Sequence, residues 1–166
     1  MVKIDKINQA AEILKGVALE TPLVYSNYLS RRFDARVYLK LENLQKTGSF
    51  KFRGAYHKLA NIRGALGPEG VVTASAGNHA QGVAHAAQLM SIPSTIVMPE
   101  WASISKQTAT RSYGGRVVLS GQSLEESLNQ AHKLEAEGRA FIHPYDDEDI
   151  ISRPTVPWPA IISSSS

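Results

Sequence analysis

Residues 70–98 read Gly-Val-Val-Thr-Ala-Ser-Ala-Gly-Asn-His-Ala-Gln-Gly-Val-Ala-His-Ala-Ala-Gln-Leu-Met-Ser-Ile-Pro-Ser-Thr-Ile-Val-Met. Two short apolar runs, 70–74 and 94–98, bracket a segment of helical pattern at about 78–90. Short apolar runs bounded by small residues read as buried strands. The alternation continues outward. Residues 116–119 and 140–143 are further strand candidates, and 103–113 and 123–137 are helix candidates between them. Ser123-Leu124-Glu125-Glu126 opens the last helix as a capping box, in which the Ser hydroxyl and the third-following Glu each satisfy a free backbone N–H. Tyr113-Gly114-Gly115 supplies a glycine stop to the helix before it. Upstream, Ile4, Ile7, Ala10, Ala11 and Leu14 share helical spacing over 4–15, and Gly16 offers a stop. Residues 37–41 read as a strand and 51–62 as a helix. The expected class is α/β, a parallel sheet flanked by helices on both faces. Ligands of such sheets gather at the carboxyl ends of the strands, which points to the turns after Ala74, Met98 and Leu119.

Composition narrows the function classes. Of 166 residues, 43% are hydrophobic and 20% charged, which is ordinary globular usage. The absence of cysteine excludes a disulfide framework, thiolate metal sites and a cysteine nucleophile. Eighteen Lys and Arg against fifteen Asp and Glu leave +3, with no basic run dense enough to argue for nucleic acid. No apolar stretch approaches membrane-spanning length. Met1-Val2-Lys3-Ile4-Asp5 lacks the apolar core of a secretion signal, so a cytoplasmic protein is expected. Residues 152–166 hold five Ser and three Pro and no acidic residue, and end in four serines. They read as a disordered tail that does not belong to the fold.

Two stretches carry the candidate chemistry. The first is Leu41-Glu42-Asn43-Leu44-Gln45-Lys46-Thr47-Gly48-Ser49-Phe50-Lys51-Phe52-Arg53-Gly54-Ala55. A lysine at a helix start faces the positive end of the helix dipole, which favours the neutral amine. The neutral amine is the form that attacks a carbonyl to make a Schiff base. Alone, such a lysine reads most simply as a solvated surface residue. The second is Thr73-Ala74-Ser75-Ala76-Gly77-Asn78-His79-Ala80-Gln81-Gly82, between a strand and a helix. Its small residues admit a ligand to the backbone, and the helix behind it presents free N–H groups to a carboxylate or phosphate. Alone, it also reads as a glycine-containing turn with an Asn helix cap.

Together the stretches at 40–55 and 75–84 resemble the fold-type II pyridoxal-phosphate enzymes, specifically the threonine ammonia-lyase and serine racemase group. Val97-Met98-Pro99 and Tyr145-Asp146-Asp147 also sit where that group has them, and the resemblance covers about 5–151. It implies the fold of tryptophan-synthase-beta-like enzymes and pyridoxal 5'-phosphate as cofactor. Lys51 would form the Schiff base with the cofactor and take the substrate's α-proton. Phe50 would pack against the cofactor ring, and Asn78 would hydrogen-bond its phenolic oxygen. Ser75, Ala76, Gly77, Asn78 and His79 would grip the substrate carboxylate, largely through backbone N–H groups. The implied reaction takes L-threonine, and L-serine as a second substrate, to a 2-oxo acid and ammonia. Similar serine racemases carry a serine acid–base group at the place of Ala76, so Ala76 favours the lyase. Open alternatives are a non-catalytic α/β fragment and a serine racemase.

The resemblance also implies a division of the chain. Residues 1–46 would belong to a larger, incomplete domain, 47–151 to a smaller cofactor- and substrate-binding domain, and 152–166 to an aberrant tail. The family's phosphate-binding glycine loop and ring-nitrogen partner lie further on, whereas no glycine follows Gly138 here. Permitted codons for 152–154 and 158–159, read one base later, encode Ala-Gly-Gln and Gly-Leu, the family's usual continuation. A frameshift near codon 151, truncating a longer enzyme, is therefore expected. The full-length enzyme would be a homo-oligomer acting on an amino acid, with no nucleic-acid or membrane partner. Biosynthetic and degradative roles both remain open. Outside the motifs, His57, His85 and His132 read as surface or packing residues, and no metal site is supported. His143 reads as structural or cleft-lining, Asp146–Asp149 as a solvated turn, and Lys58, Lys106 and Lys133 as surface residues.

Overall fold

The computed structural model describes residues 4–144 and 150. The segment 145–149, with its Tyr-Asp-Asp motif and acidic run, and the tail at 152–166 lie outside the described residues. The helices are α1 (Ile4–Leu14), α2 (Asn27–Phe33), α3 (Lys51–Ile62), α4 (Asn78–Leu89), α5 (Ile104–Ser112) and α6 (Leu124–Ala136). The strands are β1 (Leu23–Tyr25), β2 (Tyr38–Lys40), β3 (Val71–Ala74), β4 (Ser94–Met98), β5 (Arg116–Leu119) and β6 (Ala140–Phe141).

Four strands form a parallel sheet in the order β5-β4-β3-β6. The chain winds from β3 through β4 to β5, then returns through α6 to the other side of β3. The winding therefore reverses between β3 and β6, where open α/β sheets bind their ligands. β3 and β4 are buried on both faces, as central parallel strands must be. Val71, Ile96 and Met98 face a large core with Phe52, Ala55 and Leu59 of α3 and Ala80, Val83, Ala84 and Ala87 of α4. Val72, Ala74 and Val97 point the other way, against Ala131 of α6. The period-two alternation of the strands thus builds two cores, one on each face. Each fully buried Val, Leu, Ile, Phe or Met adds about 1.5–3 kcal/mol of hydrophobic stabilisation.

Three differences from the sequence expectations stand out. Residues 37–41 do not join the parallel sheet; β2 pairs antiparallel with β1 in a separate two-stranded sheet. β1 and α2 have no counterpart among the expected elements. Ser26 caps α2 by accepting from the Leu29 amide, and Asp34 closes it with φ +46°. The expected strand at 140–143 narrows to two residues, because Ile142 donates its N–H to Val72 and its carbonyl then turns to side chains. The capping box at α6 also differs in one partner. Ser123 accepts from the Glu126 amide, but Glu126 accepts from the amide of Gln122 rather than of Ser123. The glycine stop after α5 forms as expected, with Gly114 at φ +78° donating to the Arg111 carbonyl.

Candidate active site

Lys51 is the first residue of α3 and is half-buried. Its Nζ donates to the Pro144 carbonyl at 2.8 Å, just beyond the carboxyl end of β6. The same Nζ lies 5.8 Å from the centroid of the Phe50 ring, which is 37% exposed. α3 starts without a side-chain cap and without an acidic residue in its first turn. Thr47 Oγ1 and Ser49 Oγ, in the loop entering α3, are buried and make no hydrogen bond among the described residues. A buried hydroxyl without a partner is costly unless a ligand supplies one.

The second candidate stretch leaves β3 at its carboxyl end. Ser75 donates its amide to the Val97 carbonyl, and its Oγ accepts from the Gly77 amide at 3.2 Å. Gly77 occupies the cap position of α4, and Asn78 is the helix's first residue and exposed. The Asn-cap alternative is therefore not what forms. α4, like α3, begins with no side-chain cap and no acid in its first turn. Its orphan N–H groups and positive dipole end are left for an anion. His79 is turned inward, 4% exposed, with Nε2 3.3 Å from the Ile142 carbonyl oxygen. A carbonyl only accepts, so this nitrogen carries the proton. Thr73 Oγ1 donates to the same carbonyl at 2.8 Å.

The two stretches meet through α3 and α4. Gly82 of α4 lies against the backbone of Lys51 and Phe52. Asn78 is one turn earlier on the same helix face, about 6 Å along the axis. The end of β6 completes the arrangement, with Ile142 taking His79 and Pro144 taking Lys51. The turns after β4 and β5 are instead tied to each other. Glu100 donates its amide to Gly121, Gln122 Nε2 donates to Glu100 at 2.6 Å, and Trp101 Nε1 donates to Gln122. Of the three expected ligand turns, the one after Ala74 leads into the helix whose Gly82 packs on the Lys51 backbone. A cleft of about 260 Å³ lined by Pro93, Arg116 and Arg139 opens where β4 and β5 begin, and Arg139 there pairs with Glu69 and Glu137.

Sequence reasoning gave no role to the polar network under the site. Arg53, 7% exposed, donates from Nε and Nη2 to the two Glu42 oxygens, at 2.9 Å each, and from Nη2 to the Leu19 carbonyl at 2.7 Å. Thr21 Oγ1 donates to Glu42, Lys40 Nζ donates to the Thr21 carbonyl, and the Gln45 amide exchanges hydrogen bonds with Leu19. Burial pushes the Glu42 carboxyl up, but the hydrogen bonds from Arg53 and Thr21 and the charges of Arg53 and Lys40 outweigh it. The net shift is below the usual carboxylate range. Burial, then the Arg53 charge, lowers Lys40 despite Glu42 and Glu20. Glu42 and Arg53 both flank Lys51 in the first motif, and that flanking was the available signal.

The remaining candidates fall away from the site. His57 is buried on α3 beside Asn61, and His132 is exposed and pairs with Glu135. His85 sits between the rings of Phe52 and Tyr113, at 5.2 and 4.8 Å. Burial lowers its pKa, the Gln88 amide oxygen opposes this, and the Lys46 ammonium adds to the lowering. His143 is half-buried near Phe141. Lys106 and Lys133 are exposed, and Lys58 is half-buried. Among the described residues no group of three His, Asp or Glu is placed to hold a metal, and no helix is long and apolar enough to cross a membrane.

The residues present fit a pyridoxal-phosphate group in three respects. A lysine amine stands at the strand ends, two uncapped helix N-termini begin there, and two buried hydroxyls in the lysine loop make no hydrogen bond among the described residues. Comparison with known proteins agrees. The chain is 48% identical over 153 residues to an L-threonine ammonia-lyase of Thermotoga maritima, covering 92% of this chain and 38% of that protein. It is 46% identical over 154 residues to a catabolic L-threonine dehydratase of Staphylococcus aureus, covering 92% of this chain and 44% of that one. The chain thus spans less than half the length of these relatives. Maize serine racemase superposes with a TM-score of 0.85 at 34% identity, over 91% of this chain and 46% of that one. A threonine deaminase isoform of Solanum lycopersicum superposes at 0.79 with 41% identity, over 91% and 43%. The family model described as pyridoxal-phosphate dependent enzyme matches residues 14–155, and the chain belongs to that family.

Proposed function

We propose that this chain carries the lysine and the carboxylate loop of an L-threonine ammonia-lyase, with L-serine as a second substrate. The observation that carries the proposal is the bond of Lys51 Nζ to the Pro144 carbonyl past the end of β6, with the Lys51 backbone packed on Gly82 of the uncapped helix α4. Lys51 would hold the cofactor through its amine and would move the substrate's α-proton. Phe50 would pack against the cofactor ring, and Asn78 would donate to its phenolic oxygen. The loop of Ser75, Ala76, Gly77, Asn78 and His79 binds the substrate carboxylate, largely through amides other than that of Ser75, which the Val97 carbonyl takes, and is aided by the dipole of α4. The cofactor supplies the electron sink for the pair left at Cα. Loss of the α-proton and the β-hydroxide removes one water, and hydrolysis of the released enamine's imine form returns it. Threonine is thereby divided into 2-oxobutyrate and ammonia, and serine into pyruvate and ammonia.

Residues 47–151 act as the cofactor- and substrate-binding unit of a cytoplasmic homo-oligomer, and 1–46 contribute to a larger domain. Racemisation is the second reading, favoured by the likeness to maize serine racemase. Against it, the methyl of Ala76 has no proton to exchange on the opposite face. The test is product analysis with pyridoxal phosphate and L-threonine or L-serine. The proposal expects 2-oxobutyrate and pyruvate. D-serine as the main product from L-serine, or no oxo acid from either substrate, overturns it.

A further inference from the structure

We infer that Gly82 is a positioning residue, whose missing side chain seats α4 on the first turn of α3 and so fixes Lys51 against the 75–79 loop. The inference rests on the role proposed for Lys51. A Cβ built at Gly82 would lie 3.0 Å from the Lys51 carbonyl carbon, 3.1 Å from its oxygen and 3.1 Å from the Phe52 nitrogen. All three are backbone atoms, so no side-chain rotation relieves them. Gly82 is buried in the second turn of α4, where glycine is less stable than alanine. Alanine is accepted elsewhere on this helix, for Ala80, Ala84, Ala86 and Ala87 are all fully buried. The glycine at 82 therefore answers to close approach rather than to helix formation.

The approach joins the two halves of the site. α4 begins at Asn78 and carries the loop that is to hold the substrate, while the backbone it presses on belongs to Lys51 and Phe52. Phe52 is fully buried in the core, so the start of α3 has little freedom to move aside. An added methyl forces the helices apart by a few tenths of an ångström, and Lys51 Nζ leaves its register with the Ser75–His79 amides. Positions with open space make the contrast, since nothing lies within 4 Å of a Cβ built at Gly64.

The test compares wild type, Gly82→Ala and Gly64→Ala. Each is mixed with limiting pyridoxal phosphate and reduced with borohydride. Modified Lys51 is counted per folded chain, with folding taken from far-ultraviolet circular dichroism at 10 °C. The pH midpoint of Schiff-base absorbance is recorded on the same samples. Gly82→Ala should lose at least tenfold in Lys51 labelling and shift the midpoint, and Gly64→Ala should match wild type. Equal labelling within twofold and an unchanged midpoint in Gly82→Ala overturn the inference. A wild type without selective Lys51 labelling defeats the functional proposal itself, a different outcome. Hydrogen exchange on the wild type tests the coupling without any variant. Cofactor addition should protect the amides of 51–53 and 80–84 together, and protection confined to 51–53 overturns the inference.

Discussion

At Lys51 a side-chain bond to the Pro144 carbonyl and a backbone seat against Gly82 hold the amine at the strand ends. Asn78 stands exposed one helical turn from that seat. Its proposed hydrogen bond goes to a charged oxygen, and such a bond is worth about 1.5 kcal/mol. Asn78→Ala should weaken cofactor binding about tenfold in a spectrophotometric titration, with the unfolding midpoint unchanged. Unaltered affinity would remove Asn78 from the site. Beneath, the Arg53–Glu42 pair is only 9% and 11% exposed at the side chains. Removing one partner leaves a buried charge, and Arg53→Ala should cost about 3 kcal/mol in urea unfolding. Against the upward push of burial, the hydrogen bonds from Arg53 and Thr21 hold the folded-state pKa of Glu42 below its unfolded value. Its contribution is full above that value and is lost as pH falls through the folded pKa. Glu42→Gln should therefore flatten the acid limb of the stability profile, and an unchanged limb would contradict the assignment.

At the scale of elements, the central α/β run was readable because its signals are local. Apolar runs of four or five residues gave β3, β4 and β5, and helical pattern gave α3 to α6, with a glycine stop for α5 and a cap for α6. β1 and α2 escaped because each is short and its apolar residues stay largely exposed, leaving no buried face to impose a period. The antiparallel partner of β2 is set by a pairing across residues 26–37, which no local pattern states. The same limit applied to the site. Lys51 and the 75–79 loop were legible as motifs, whereas the Arg53–Glu42–Thr21 network depends on three segments folding together. A cap is a local signal with a local cost. Ser123→Ala removes the acceptor for the Glu126 amide and should destabilise α6 by about 1 kcal/mol in thermal or urea unfolding. No change would mean that α6 is held by Ala131 and its neighbours alone.

Across the whole molecule, apolar surface is unevenly distributed. The parallel sheet is covered by helices on both faces, while the β1–β2 pair is not. Leu23, Val24, Tyr25, Tyr38 and Leu39 remain 41–45% exposed, and Tyr28 and Phe33 of the adjoining α2 are 74% and 64% exposed. Unprotected strands with apolar side chains favour association. Sedimentation velocity should show mass rising with concentration, and Leu39→Lys should lower that rise. A concentration-independent monomer would contradict it.

The proposed function requires that one lysine among the chain's many be chemically singled out by its place at the strand ends. Borohydride reduction of the chain with pyridoxal phosphate, followed by peptide mass mapping, tests it most directly. Selective modification of Lys51, lost in Lys51→Ala, is the expected result. Modification scattered over many lysines, or concentrated on one other than Lys51, would contradict it.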